Sequence, residues 1–184
     1  MSIWNDEVID WYVENFGDDV SNQTVIDNAP LPETADVLDI GCGNGYALRL
    51  ASSKVKEGTL VGVEPFERML DHARAASHGH PADDRIIYAR GSAEDLPFED
   101  DKFDVVMSLN AVHHWADLSK GFAEAFRTLK VGGQLIVGGD VFDVNIAPDS
   151  QDYTEVLKAA GFEEIASKQL KDSVFFITTA RKGP

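Results

Sequence analysis

The chain has 184 residues, 43% of them hydrophobic, which suits one ordinary core and argues against a two-domain enzyme. With 32 acidic residues against 16 basic ones, its formal charge of −16 sets up a field that disfavours nucleic acid and anionic membrane surfaces as partners. Cys42 is the single cysteine, so an intramolecular disulfide and a cysteine-rich zinc site are excluded, and a reducing, cytoplasmic setting is expected.

The first residues lack the basic and apolar regions of a signal peptide, and no apolar run approaches the ~18 residues of a membrane span. Residues 1–35 read as an N-terminal helical appendage: Ile9, Tyr12, Val13 and Phe16 share a helical face before Gly17, and Pro30 and Pro32 mark the junction that follows. From residue 36 to 184, short β-branched runs alternate with segments of helical period. Strands are expected at 37–40, 59–64, 86–90, 103–109 and 134–139, largely apolar on both faces as a buried parallel sheet requires. Between them, Phe66, Met69, Leu70 and Ala73 form a helical stripe, as do Phe122, Ala125, Phe126 and Leu129, and later Tyr153, Val156, Leu157 and Ala160. Gly161 then stands where a helix C-cap belongs. Two final strands, 162–170 and 173–180, separated by Lys171-Asp172, suit an antiparallel hairpin. The expected fold is a single α/β domain, a Rossmann-like doubly wound seven-stranded sheet, mostly parallel with one antiparallel strand near the C-terminus.

The most informative segment is Val37-Leu38-Asp39-Ile40-Gly41-Cys42-Gly43-Asn44-Gly45, a buried strand running into a glycine-rich turn and a helix. Glycines there permit positive φ and let a flat ligand lie against bare backbone. Glu64, nineteen residues after Gly45, stands where a carboxylate can accept from two ribose hydroxyls. A dinucleotide fingerprint would need its third glycine at Tyr46, and a phosphate loop would need Gly-Lys-Ser/Thr, so both lose ground. A carboxylate at Asp39 repels phosphate and attracts an ammonium or sulfonium, which points to a cationic cofactor.

At this point Asp39-Ile40-Gly41-Cys42-Gly43-Asn44-Gly45 resembles the first motif of the class I S-adenosylmethionine-dependent methyltransferases. Val61-Gly62-Val63-Glu64-Pro65 with Met69 resembles their ribose motif, and Gly91-Ser92-Ala93-Glu94-Asp95-Leu96-Pro97-Phe98 their adenine motif. The stretch from Phe103 to Trp115 is similar to the fourth-strand motif, and Leu129-Lys130-Val131-Gly132-Gly133-Gln134-Leu135 to the turn into the fifth strand. The likeness is nearest to the ubiquinone/menaquinone-biosynthesis-like (type 11) group. It implies S-adenosylmethionine as cofactor, S-adenosylhomocysteine as product, and a small-molecule acceptor methylated by in-line transfer.

By the same resemblance, Asp39 faces the methionyl ammonium, Gly41 and Gly43 allow close passage of the cofactor, and Glu64 holds the ribose next to Pro65. Phe66 and Met69 pack near the adenine, the Ala93 amide reaches a ring nitrogen, and the Asn110 carbonyl accepts from the ammonium. Many relatives carry aspartate where Ser92 stands to bond the exocyclic amine, so adenine selectivity here is either weaker or carried by Glu94.

His113 and His114 are the candidate general bases; neighbouring residues tend to point opposite ways, so at most one imidazole is expected to face the pocket. No metal-ligand spacing accompanies them or His72, His78 and His80, which read as exposed. Trp4, Trp11 and Tyr12 could close over the cofactor or simply pack. Cys42 reads as small packing, and the acidic runs at 18–19 and 99–101 as solvated loops. Residues 140–151 leave little room for a substrate-covering lid. A small substrate under the N-terminal helix, a bulky substrate, or a homodimer or partner subunit completing the site all stay open, as do protein methylation and a non-catalytic partner role.

Overall fold

The computed structural model describes residues 4–140, 153–170 and 175–184. Its elements are helices α1 (Asp6–Phe16), α2 (Val20–Asn28), α3 (Tyr46–Ala51), α4 (Glu67–Ser77), α5 (Leu118–Thr128) and α6 (Thr154–Ala160), with strands β1 (Val37–Ile40), β2 (Leu60–Glu64), β3 (Ile86–Arg90), β4 (Phe103–Leu109), β5 (Leu129–Asp140), β6 (Phe162–Gln169) and β7 (Phe175–Lys182). The strands form one seven-stranded sheet in the order β3-β2-β1-β4-β5-β7-β6. β1 to β5 run parallel, and β7 alone is reversed, pairing antiparallel with both β5 and β6. The expected sheet and its single reversed strand are therefore present, with β7 inserted between β5 and β6. The Lys171-Asp172 turn and the 140–151 segment expected to be short of a lid fall outside the described residues, apart from the backbone of Asp140.

Alternation along β1 divides the core. Val37 joins Val25, Leu48, Leu70, Met107 and Ile136 on one face. Leu38 and Ile40 join Val63, Phe103, Phe122, Leu135 and Leu157 on the other. This two-sided burial is why the central strands read as continuous apolar runs. Helix ends are marked by local chemistry: Asn5, Asp19 and Asp117 cap α1, α2 and α5 by accepting from Val8, Ser21 and Lys120 amides, and Gly161 ends α6 in the left-handed region at φ 101°.

Two expectations are corrected. The N-terminal region, read as an appendage, contains two helices of which the second, α2, is a core element: Val25 and Ile26 are fully buried, each stabilising the fold by about 1.5–3 kcal/mol. β5 starts at Leu129 rather than at residue 134, with an irregular register against β4 between Phe103 and Val105. The acidic run at 99–101 is an exposed loop, as expected, in which Asp100 pairs with Arg127 at 2.7 Å and Asp101 with Lys182 at 2.8 Å.

Candidate functional site

Parallel strands end together, so the turns following β1, β2 and β4 meet at one edge of the sheet. A cavity of about 300 Å³ opens there, walled by Asp39, Ile40, Gly41, Gly43, Glu64, Leu109 and Asn110. The turn after β1 is held by the Gly41 and Cys42 amides, which donate to the Val63 carbonyl at 2.9 and 3.1 Å. Its glycines are required: Gly41, Gly43 and Gly45 take φ of 75°, 53° and 74°. A Cβ on Gly45 would strike the Tyr88 hydroxyl, whereas one on Gly43 would meet nothing within 4 Å. The backbone at Gly43 is thus bare on the side that a ligand can approach.

Two carboxylates stand beside that turn. Asp39 is 1% exposed, and its Oδ1 has no hydrogen-bond partner among the described residues. Burial, and next the charge of Glu64, push its pKa up to about 8. Glu64 is itself buried; Oε2 accepts from the Gly43 amide at 3.3 Å and Oε1 from the Phe66 amide at 3.4 Å. Burial outweighs those two bonds and raises its pKa to about 7. An unpartnered buried oxygen costs folding free energy of about 1–3 kcal/mol, so Asp39 is a stability liability in the ligand-free chain. A cationic or hydrogen-bond-donating group would relieve it.

Pro65, Phe66, Met69, Ser92, Ala93 and Glu94 line the same cavity. Glu94 has a structural task that sequence reading missed. Its Oε1 accepts from the Ala116 and Asp117 amides at 2.7 and 3.2 Å, tying down the loop before α5. Burial works to raise its pKa, but hydrogen bonds from its own amide, Asp117, Ser92 and Ala116 prevail and lower it. Asn110 lies in the left-handed region at φ 54°, and its side-chain amide donates to Ser21 Oγ at 2.6 Å and Asn22 Oδ1 at 3.2 Å. Helix α2 therefore fixes the backbone at the end of β4.

The histidines separate as expected. His114 is on the cavity wall and His113 is not. A short 3-10 turn at Val112–His114 causes the divergence, leaving the two rings 4.0 Å apart between centroids. Both stay solvent-accessible on one side, while burial against protein lowers their pKa values, His113 to about 4 with the charge of His114 as a second cause.

Helix α1 roofs the cavity with Trp4 just before it: Trp4, Tyr12 and Phe16 are on the wall, and Trp11 is not. The Trp4 ring stands edge-on to Tyr12 and His114 at 5.2 and 5.5 Å. The roof is clasped to α4 by Asp10, whose carboxylate receives Arg68 through both oxygens at 2.7 and 2.8 Å and meets His72 Nε2 at 2.6 Å. His72 is thus not a merely exposed histidine. Arg68→Ala should loosen α1 without unfolding the body, because α1 itself buries only Ile9. Hydrogen exchange should quicken several-fold within α1 alone; unchanged exchange there would show that apolar contacts, not the clasp, hold the roof.

Cys42 packs against Gly62, where an added Cβ would come within 2.6 Å of its sulfur. Trp115 Nε1 is buried with no hydrogen-bond partner among the described residues. Asp19, expected in a solvated loop, instead caps α2 and reaches the cavity wall together with Asn22 of that helix. Only the Trp115 indole had a local signal, its place in the fourth-strand motif.

Residues 38–137 match the sequence family described as a methyltransferase domain. YdaC of Bacillus subtilis (strain 168), an uncharacterized methyltransferase, is 29% identical over 168 residues that cover 88% of this chain and 91% of YdaC. The 27-O-demethylrifamycin SV methyltransferase of Amycolatopsis mediterranei (strain S699) is 34% identical over 110 residues, 59% of this chain but only 40% of that enzyme. Among solved structures, the methyltransferase held in complex with the Haloferax volcanii Trm112 activator shares the fold with a TM-score of 0.76 at 21% identity, covering 96% of this chain and 98% of that one.

Proposed function

Because the chain belongs to the class I S-adenosylmethionine-dependent methyltransferases of the type 11 group, we propose that its cavity binds S-adenosylmethionine and directs the methyl group to a small-molecule acceptor. The observation that carries this reading is Asp39: a buried carboxylate with an unpartnered oxygen, on the wall of a cavity whose floor is bare glycine backbone. The cofactor supplies a methyl group on a positively charged sulfur, already a good leaving group, for attack in line by the acceptor. Asp39 takes the methionyl ammonium, together with the Asn110 carbonyl. Glu64, held in place by the Gly43 and Phe66 amides, accepts from the ribose hydroxyls. Phe66, Met69, Ser92 and Ala93 enclose the adenine, and Trp115 Nε1 is a buried side-chain donor on the wall with no partner among the described residues.

Since the leaving group is good, the protein's task is alignment and exclusion of water. Trp4, Tyr12 and Phe16 perform the second by closing the cavity under α1. That roof supports a small acceptor over a protein side chain, as does the small-molecule name of the rifamycin relative. The activator complex of the structural neighbour keeps a partner subunit in play. Calorimetric titration with S-adenosylmethionine and with S-adenosylhomocysteine tests the cofactor; absence of heat with both would sink the reading. Label carried from methyl-labelled cofactor into the protein fraction of an extract, and not into small molecules, would reassign the acceptor.

Glu64→Ala should weaken cofactor binding by about 1–3 kcal/mol, the worth of charge-assisted bonds to the ribose. It should not unfold the chain, because it also removes a buried carboxylate. Equal dissociation constants in variant and native protein would remove Glu64 from the ribose.

A further inference from the structure

The cavity wall carries the carboxylates Asp19, Asp39, Glu64 and Glu94 and, among the described residues, neither lysine nor arginine. With Asp39 and Glu64 assigned to the cofactor and Glu94 Oε1 bonded to two loop amides, Asp19 is the remaining carboxylate on the wall, its charge felt by Tyr12 and its Oδ1 accepting from the Ser21 amide. Burial first, then the charges of Asp19 and Glu64, push the Tyr12 phenol above its ordinary value, so the negative field reaches that corner. Trp4, Tyr12 and His114 form its aromatic walls, with Trp4 5.2 Å from Tyr12 and 5.5 Å from His114 between ring centroids. Aromatic faces with a carboxylate nearby and no counter-cation suit a positively charged ligand.

Resting on the methyltransferase reading and deepening it, we propose that the acceptor is an amine, cationic in solution and free of phosphate and carboxylate groups, docked between the Trp4–Tyr12 corner and Asp19. An anionic acceptor would find no lysine or arginine among the described wall residues and would be repelled by the carboxylates there. A phenol or thiol must become an anion to attack, and carboxylates on the wall raise the cost of that ionisation. They also oppose loss of the ammonium proton, but the amine nitrogen regains positive charge as the bond forms, so the field that binds the ammonium also favours its transition state. The ammonium first gives its proton to His114, which faces both the cavity and solvent and passes the proton to water. The nitrogen lone pair then forms the N–CH3 bond while the C–S pair returns to sulfur, which leaves as a neutral thioether.

The test begins with S-adenosylhomocysteine titration, since failure there overturns the methyltransferase reading itself. Once binding is established, a small-molecule extract is split by ion exchange into cationic, neutral and anionic pools and incubated with the full chain and methyl-labelled S-adenosylmethionine. Label should enter the cationic pool. Label in the neutral or anionic pool, or in none, overturns the amine proposal while leaving the cofactor reading intact. Asp19→Asn then isolates the charge, because asparagine retains the α2 cap in which Asp19 Oδ1 accepts from Ser21 at 2.7 Å. KM for the amine should rise about threefold to tenfold, with the S-adenosylhomocysteine dissociation constant and Tm unchanged. An unchanged KM removes Asp19 from the acceptor site and overturns the proposal.

Discussion

Asp39→Asn should bind S-adenosylmethionine about 100-fold more weakly than the native chain, while its ligand-free form melts higher at pH 8. Both effects have one cause. The Asp39 carboxyl is buried with an unpartnered oxygen and has its pKa pushed to about 8 from an ordinary 3.8. Glu64 follows at about 7 from 4.5. Between the unfolded and folded values the native state binds protons that the unfolded chain has released, so ligand-free stability falls as pH rises. This contribution is complete below the unfolded values and is lost as pH passes through 7 and 8. From pH 7 to 9, Tm of the ligand-free protein should therefore drop, by about 2–4 °C for each kcal/mol lost. The amide variant should show a shallower drop, because only Glu64 still titrates. Bound cofactor should reverse the trend in the native chain, since its ammonium favours ionised Asp39, and calorimetry should detect protons released on binding. A flat Tm profile from pH 7 to 9 in the native protein would mean that Asp39 is already ionised and satisfied without ligand.

The first strand, the glycine turn and Glu64 were legible because their chemistry is local: a buried run, three residues with positive φ, and an acid at the end of the next strand. What the sequence concealed depends on contacts between distant segments. Helix α2, Val20–Asn28, carries only Val25 and Ile26 as strong apolar anchors amid polar residues, so it shows no hydrophobic stripe. Its role appears only when Ser21 and Asn22 meet the Asn110 side chain from 89 and 88 residues away. The clasp of His72 and Arg68 on Asp10 likewise spans about sixty residues, and His72 alone looks like any histidine on a polar helix face. Glu94 illustrates a subtler limit. Its place in the adenine motif is readable, but the capture of its Oε1 by the Ala116 and Asp117 amides depends on how the loop before α5 closes. For His113 and His114, adjacency predicts divergence, and the 3-10 turn decides which imidazole turns inward.

The other large effect is expected in the glycine turn, where two positions with similar backbone conformations should fail differently. Gly41 has φ +75°, and a Cβ there would lie 2.6 Å from the Ala111 Cβ. Gly41→Ala adds left-handed strain to an overlap between segments packed at the cavity floor, and should cost about 2–5 kcal/mol of stability. Gly43 has φ +53° with nothing within 4 Å of an added Cβ. Gly43→Ala should lose only about 1–2 kcal/mol through backbone strain, yet it places a methyl group where the cofactor passes. Denaturant midpoints should thus fall mainly for the Gly41 variant, whereas calorimetry should find the folded Gly43 variant at least tenfold weaker for S-adenosylhomocysteine. A Gly43 variant that binds as the native chain does would mean that the ligand does not lie against this backbone. A Gly41 variant of native stability would mean that Ala111 and the turn after β4 can yield, which the pairing of Asn110 with both Gly138 and α2 opposes.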